Sequence, residues 1–213
     1  MTSLAFSILD ARPARDSAAP AIAFRVRIAS ASGPVHAIAL RCQLLIDAPD
    51  RAYAPAERER LYELFGEPGQ WRRTLRAVTW GHSSTVVRAF EKDVEVELPV
   101  ACTYDLVIAA SKYLYAVRDG EVPLSFQFSG TTFAVRDNAL AIEPVPWDRE
   151  ASFRMPARVW HEAMDRFFPG SGWIRLQRET LDRLQAFRGR QALVEWDDVV
   201  NRLLQQAGME APL

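Results

Sequence analysis

The chain has 213 residues, of which 49% are hydrophobic and 25% are charged, and its formal net charge is −1. This composition is that of a packed globular protein, and the near-neutral charge argues against binding to nucleic acid or anionic membranes. No apolar run reaches the roughly 18 to 20 residues that cross a bilayer. The N-terminus also lacks the basic start and long apolar core of a signal peptide, so we expect a cytoplasmic protein.

As far as about residue 146, the hydrophobic pattern has the period of two that is typical of half-buried strands. The clearest strand spans 22–28, where apolar side chains alternate with arginines on the other face. Further strands are predicted at 4–8, 35–46, 94–102, 124–128 and 139–143. The turn formed by Ser32, Gly33 and Pro34 predicts a hairpin between the second and third strands. Pro99 predicts that its strand lies at an edge or bends there.

A helical insertion interrupts these strands near residues 55–76. It begins at Pro55 and shows helical spacing of Leu61, Leu64 and Phe65 before glycines and a proline stop it. The segment 106–117 is ambiguous, because helix-favouring alanines lie among β-branched and aromatic residues.

The period changes to that of helices after residue 147. Three apolar stripes predict helices that start near Pro156, Arg178 and Glu195. Three short helices make a poor core of their own, so we expect them to dock on the strands. The predicted fold is therefore α+β, with an immunoglobulin-like antiparallel sandwich at 1–146 and a helical extension at 147–213 in one folding unit.

No pattern of catalytic, metal-binding or cofactor-binding residues is present. His82 lies beside Ser83, but a nucleophilic serine needs a histidine that a carboxylate orients, and the chain has no GxSxG elbow. The two cysteines, Cys42 and Cys102, share no ligand spacing with a histidine, and no phosphate-binding fingerprint occurs. Both cysteines share the parity of apolar strand faces, so we expect buried, reduced thiols. We predict no catalytic residue, no metal and no cofactor.

Aromatic residues are dense between residues 147 and 173. Aromatic side chains build cores, and they are also enriched at the energetic centres of protein interfaces. We therefore hypothesise a protein-binding surface where the tail joins the sandwich. Its candidate residues are Trp147, Trp160, His161, Phe168 and Trp173.

Five stretches together are distinctive. They are 102–106 (CTYDL), 119–124 (DGEVPL), 129–131 (SGT), 145–148 (VPWD) and 168–173 (FPGSGW). On these stretches the whole chain resembles a bacterial family of unknown function that is common in actinobacteria. Its members are often encoded beside high-affinity NiFe uptake hydrogenase genes, which implies an accessory, assembly or structural role. The resemblance brings no catalytic residues to carry over.

The leading hypothesis is a non-enzymatic accessory or assembly protein whose partner is another protein, such as a hydrogenase subunit or maturation factor. Two alternatives stay open. One is a metal carrier or enzyme whose site is assembled from dispersed histidine, cysteine and carboxylate residues. The other is a structural subunit that assembles with itself as a homo-oligomer.

Overall fold

The computed structural model describes residues 3–103, 105, 108–136, 139–171 and 176–209. Its strands are β1 (Leu4–Pro13), β2 (Ala21–Ser30), β3 (Ala37–Ile46), β4 (Val78–Val87), β5 (Asp93–Ala101), β6 (Glu121–Arg136), β7 (Ala139–Pro144) and β8 (Glu150–Pro156). The chain divides into two compact units, residues 1–173 and 174–213. All eight strands belong to the first unit.

The strands form two antiparallel sheets. The smaller sheet has the order β1-β2-β5, and the larger has the order β4-β3-β6-β7, with β8 also paired to β6. The strands β7 and β8 share one side of the long β6, because β7 pairs with 131–136 and β8 with 121–127. Between these two stretches Gly130 has φ +138°, and a Cβ there would lie 2.1 Å from the carbonyl oxygen of Ala39. Only glycine allows this close approach of β6 to β3.

The two sheets share a hydrophobic core. Ile22, Phe24, Val26 and Ile28 of β2 are each fully buried, as their alternation with Arg25 and Arg27 predicts. Phe24 meets Phe126 of the larger sheet edge to face, with ring centroids 5.0 Å apart. The fold is therefore α+β with a sandwich-like arrangement of antiparallel sheets, as the sequence predicts, and the immunoglobulin-like topology stays a prediction.

The predicted hairpin of the second and third strands is wrong. β2 pairs with β1 and β5, whereas β3 pairs with β4 and β6 in the other sheet. Each of these two strands has one apolar face. The two strands lie in different sheets, and their apolar faces meet across the core instead of lying next to each other in one sheet. The prediction for Pro99 is confirmed, because β5 is an edge strand of the smaller sheet.

Seven helices accompany the sheets in the described part of the chain. They are α1 (Pro55–Arg60), α2 (Tyr62–Phe65), α3 (Trp71–Thr74), α4 (Ala109–Ala116), α5 (Ala157–Phe167), α6 (Arg178–Arg190) and α7 (Trp196–Gln206). The first three form the predicted insertion, together with a single 3-10 turn at Pro68–Gln70; another such turn, Ala48–Asp50, precedes it. The ambiguous segment contains α4, where the fully buried Tyr113 shares a hydrogen bond with the Tyr53 hydroxyl at 2.8 Å. None of these helices is long and apolar enough to cross a membrane.

Residues 147–213 are not helical throughout. The strand β8 lies at their start, and its Phe153 pairs with Leu124 of β6. The helix α5 follows directly and packs against β1, β2 and β8 within the first unit. Its buried side consists of Ala157, Val159, Trp160, Ala163 and Met164.

The second unit contains the helices α6 and α7, which contact each other. The Arg188 guanidinium of α6 lies over the Trp196 ring of α7, 4.6 Å from its centroid. Leu181 and Val200, which the sequence pattern places in apolar stripes, are 39% and 43% exposed. Docking of these helices on the sandwich stays a prediction.

Candidate partner-binding face

The outer face of the smaller sheet neutralises its own charges. Arginines of β1 and β2 meet carboxylates of β5, and all six side chains are about half exposed. The three ion pairs are Arg12–Glu97, Arg25–Glu95 at 3.6 Å and Arg27–Asp93 at 3.2 Å. These pairs give the face a polar, internally satisfied surface, which we call the charge ladder.

The outer face of the larger sheet carries a cluster of six polar side chains. Arg41 of β3 lies between Ser84 and Ser129 of the neighbouring strands, and Gln43 lies between His82 and Gln127. Within the described part of the chain, none of these six side chains makes a hydrogen bond or ion pair. They line an open groove of about 740 Å³, which we call the polar groove.

Farther along the same strands this face becomes apolar. Val86 follows His82 and Ser84 on the outward side of β4, and Val135 has the outward parity of Gln127 and Ser129 on β6. Val135 pairs with Leu140 of β7, two residues before Ile142. We call these four residues the apolar strip; their exposures are Val86 73%, Val135 58%, Leu140 59% and Ile142 62%.

Trp147 stands beside the polar groove on a fixed turn between β7 and β8. The turn is held on both sides of the indole, because Val145 N–H donates to the Gly130 carbonyl and Phe128 N–H donates to the Arg149 carbonyl. The Trp147 side chain nevertheless lines the groove while it is 92% exposed. A large aromatic side chain is thus presented to solvent on an ordered backbone, which is the arrangement expected of an interface anchor.

The other candidate residues have different surroundings. Trp160 is 2% exposed and belongs to the core. His161 packs edge to face on Trp160, and its Nε2 lies 2.9 Å from the Val117 carbonyl oxygen. Phe168 is partly buried against the core, and Trp173 lies outside the described residues. Among the four described candidates, Trp147 is the one whose side chain is largely exposed.

The groups considered for chemistry are separated by the fold. Consecutive strand residues point to opposite faces, so His82 lies outside while Ser83 is buried and donates to the Pro99 carbonyl. Among the described residues, no group of three or more histidine, cysteine or acidic side chains is placed to hold a metal ion.

The prediction that both cysteines are buried is confirmed, and neither forms a disulfide. Burial raises the pKa of Cys42 to about 12 and that of Cys102 to about 12. Both are therefore thiols at neutral pH and poor nucleophiles.

The apolar strip was not recognised in the sequence, although a signal for it exists. From residue 131 onward β6 is apolar at both parities, since Phe133 and Val135 face outward while Ala134 faces the core. A strand that is apolar on both faces is ordinarily covered on both. Here no described element of the first unit covers the outer side, so the strip is an exposed patch of that unit.

Comparisons with known proteins add a family but no activity. The model of a family of unknown function, DUF6084, matches residues 1–212. No curated protein matches the chain. Two crystal structures of a β-glucosidase from Kluyveromyces marxianus, one selenomethionine-labelled and one in complex with glucose, match at 11% and 13% identity with TM-scores of 0.26 and 0.23.

Each β-glucosidase match covers 72% of this chain and 15% of the enzyme, so the chain spans a small part of that protein. At these TM-scores the likeness supports no inference. The family model covers nearly every residue, and the chain belongs to the family of unknown function DUF6084.

Proposed function

We propose that this protein is a non-enzymatic accessory or assembly factor that binds another protein through the outer face of its larger sheet. The observation that carries the proposal is the contrast between the two outer faces. The smaller sheet pairs its own charges. On the larger sheet, six polar side chains have no hydrogen bond or ion pair among the described residues, and four aliphatic side chains are exposed.

The composition of this face matches that of an interface. Protein interfaces combine an apolar centre with polar groups that form hydrogen bonds across it. The apolar strip supplies such a centre, and the transfer of one Val, Leu or Ile side chain from water into contact is worth up to about 1.5–3 kcal/mol. The polar groove supplies amide, imidazole, hydroxyl and guanidinium groups, which pair with a partner without first breaking bonds inside the protein.

Trp147 completes the proposed surface as its aromatic anchor. Its position beside the groove allows one partner to contact the indole and the polar side chains of the groove together. Of the residues in the sequence hypothesis, the proposal retains Trp147. It places the binding surface on the outer face of the larger sheet and not where the tail joins the sandwich.

The resemblance in sequence suggests the kind of partner. We propose that the partner is a subunit or maturation factor of a NiFe uptake hydrogenase and that binding takes place in the cytoplasm. This narrower proposal depends on the resemblance alone and is tested separately from the binding face.

Affinity purification from the native cell tests both the binding face and the identity of the partner. The tagged wild-type protein is compared with a Leu140→Ser/Ile142→Ser variant of the apolar strip and an Arg25→Ser/Arg27→Ser variant of the charge ladder. We expect one partner to be recovered with the wild type and the ladder variant, and to be lost with the strip variant. Equal recovery by all three would place binding elsewhere. A partner unrelated to hydrogenase would overturn only the narrower proposal.

Self-assembly is a second candidate, and the position of β7 favours it. This strand lies at an edge of the larger sheet and carries Leu140 and Ile142. Exposed apolar edge strands pair readily with other strands. Light scattering on the wild type and the Leu140→Ser/Ile142→Ser variant distinguishes the cases. An oligomeric wild type with a monomeric variant supports self-assembly. If both proteins are monomers, self-assembly is ruled out.

A further inference from the structure

A second concave site lies in the helical insertion, and it shares no lining residue with the polar groove. It is a pocket of about 340 Å³ formed where the chain before α1 meets α3. Residues that define its chemistry are Pro49, Tyr53, Arg58, Trp71, Arg72 and Leu75.

One part of the pocket wall is apolar and held in place. Tyr53, Trp71 and Leu75 are each less than 10% exposed, and the Tyr53 and Trp71 rings meet edge to face with centroids 5.3 Å apart. Trp71 Nε1–H donates to the Gly66 carbonyl at 2.9 Å, and the Tyr53 hydroxyl donates to the Ala48 carbonyl at 2.6 Å. The rings are therefore fixed before any ligand arrives, which lowers the entropic cost of binding.

The pocket also carries the guanidinium groups of Arg58 and Arg72. Arg58 is oriented by a hydrogen bond from its Nε to the Tyr53 carbonyl at 3.0 Å, and its terminal nitrogens have no partner within the described residues. The Arg72 side chain has no hydrogen bond or ion pair there. Arg51 differs, because it is paired with the buried Glu57. No carboxylate is among the residues that line the pocket in the described part of the chain.

We propose that this pocket binds a small organic anion, a carboxylate or phosphate joined to an apolar or aromatic body. The guanidinium fork of arginine matches the oxygens of either anion and forms charge-assisted hydrogen bonds. The wall of Tyr53, Trp71 and Leu75 suits the body of the ligand. The volume lies at the small end of the range for ligand pockets, about 300–1,000 Å³.

The pocket lies apart from the proposed protein-binding face, so the two proposals stand or fall separately. Ligand binding here would give the protein a small-molecule input in addition to its partner.

Isothermal titration of the full chain with four probes tests this proposal. The probes are benzoate, phenyl phosphate, inorganic phosphate and the neutral benzyl alcohol. We expect saturable binding of benzoate or phenyl phosphate that weakens as salt is added, since exposed charges are screened. Inorganic phosphate and benzyl alcohol should each bind at least about tenfold more weakly. Inorganic phosphate lacks the aromatic body, and benzyl alcohol lacks the anionic group. The aromatic probe that binds more tightly identifies the anion.

Variants locate the binding. Arg72→Ala should weaken the better probe about tenfold or more, and Arg58→Gln should act in the same direction. Arg73→Ala is the matched control, because Arg73 lies next to Arg72 on α3 but does not line the pocket, and it should leave affinity unchanged. Thermal melting shows that each variant is folded.

Absence of saturable binding by both aromatic anions would overturn the proposal. So would inorganic phosphate binding as tightly as phenyl phosphate, or a folded Arg72→Ala that binds like the wild type.

Discussion

The two outer faces of the sandwich are built from strands of the same kind and differ in how their side chains are satisfied. In the smaller sheet, Arg25 and Arg27 of β2 reach Glu95 and Asp93 of β5. In the larger sheet, Arg41 at the equivalent outward parity of β3 has serines on both sides and no acid opposite. A face that satisfies itself needs only water, whereas a face with unpaired polar groups and exposed aliphatics has surface available for a partner.

Removal of a shared core ring should have the largest effect, because both faces depend on it. Phe126 is fully buried against Phe24, and Phe126→Ala should cost about 3–5 kcal/mol of unfolding free energy. Val86→Ala in the apolar strip is the matched control, and it should change stability by less than about 0.5 kcal/mol. Urea denaturation measures both, and a similar loss from both variants would mean that the strip is packed rather than exposed.

The buried ion pair of the insertion should be worth far more than any pair of the charge ladder. The Arg51 and Glu57 side chains are 10% and 9% exposed and are joined by two hydrogen bonds of 2.8 and 3.0 Å. Arg51→Ala leaves the Glu57 carboxylate buried without its cation, so we expect a loss of about 3–5 kcal/mol at neutral pH. Chemical denaturation checks this value.

The same pair predicts a pH dependence. Burial alone would raise the pKa of Glu57, but hydrogen bonds from Arg51 and from the Ala54 N–H outweigh it and lower the pKa. A lowered pKa in the folded state means that the stabilisation is complete above the unfolded pKa of about 4.3 and is lost as pH falls through the folded value. The difference in unfolding free energy between the wild type and Arg51→Ala should therefore become smaller below about pH 4. A difference that grows with acidity would contradict this sign.

Trp147→Ala should separate binding from stability. The side chain is 92% exposed, so its removal should change unfolding free energy by less than about 0.5 kcal/mol. If Trp147 is an interface anchor, the substitution should also weaken partner binding by about 2 kcal/mol. Trp160→Ala is the contrasting variant, because Trp160 is 2% exposed and its loss should cost about 3–5 kcal/mol of stability. Calorimetric titration of the purified partner measures the affinity.

A single pair of the charge ladder should matter least. Glu95→Gln removes the ion pair with Arg25, in which both side chains are about half exposed. Exposed pairs are worth about 0.2–1 kcal/mol, so the shift in melting temperature should be small and should shrink in high salt. Partner affinity should be unchanged. A loss of more than about 2 kcal/mol would show that the ladder is a cooperative network.

Sequence reasoning reached the parts of the fold that follow from local pattern. The alternation of Ile22 to Ile28 with arginines predicted which side of β2 is buried, and Pro99 predicted an edge strand. It failed where partners are distant in the chain. The predicted hairpin of β2 and β3 was wrong because the sequence pattern fits two arrangements. Two strands with one apolar face each can be neighbours in one sheet, or they can lie in two sheets that pack face to face. The segment of α4 was ambiguous because its alanines favour helix and its β-branched and aromatic residues favour strand. Its tertiary contacts, such as the hydrogen bond of Tyr113 with Tyr53, 60 residues away, do not appear in a local pattern.

The candidate site was predictable only in part. The aromatic density of 147–173 pointed to Trp147, which is exposed, and equally to Trp160, which is buried. Composition cannot separate these two residues, because their difference depends on which element packs over each. The polar groove and the apolar strip depend on the register of β4, β3, β6 and β7 and on the absence of a covering layer among the described residues. The pocket of the insertion brings Arg58 and Arg72 to one lining, although they lie 14 residues apart in the sequence.

The most direct test of the central claim is photo-crosslinking from both faces in the native cell. A photoreactive amino acid replaces Ile142 or Trp147 on the larger sheet's face, and Arg27 on the charge ladder serves as the control. We predict crosslinks from positions 142 and 147 to the same partner protein and none from position 27. Crosslinks from position 27 with none from the other two would contradict the account.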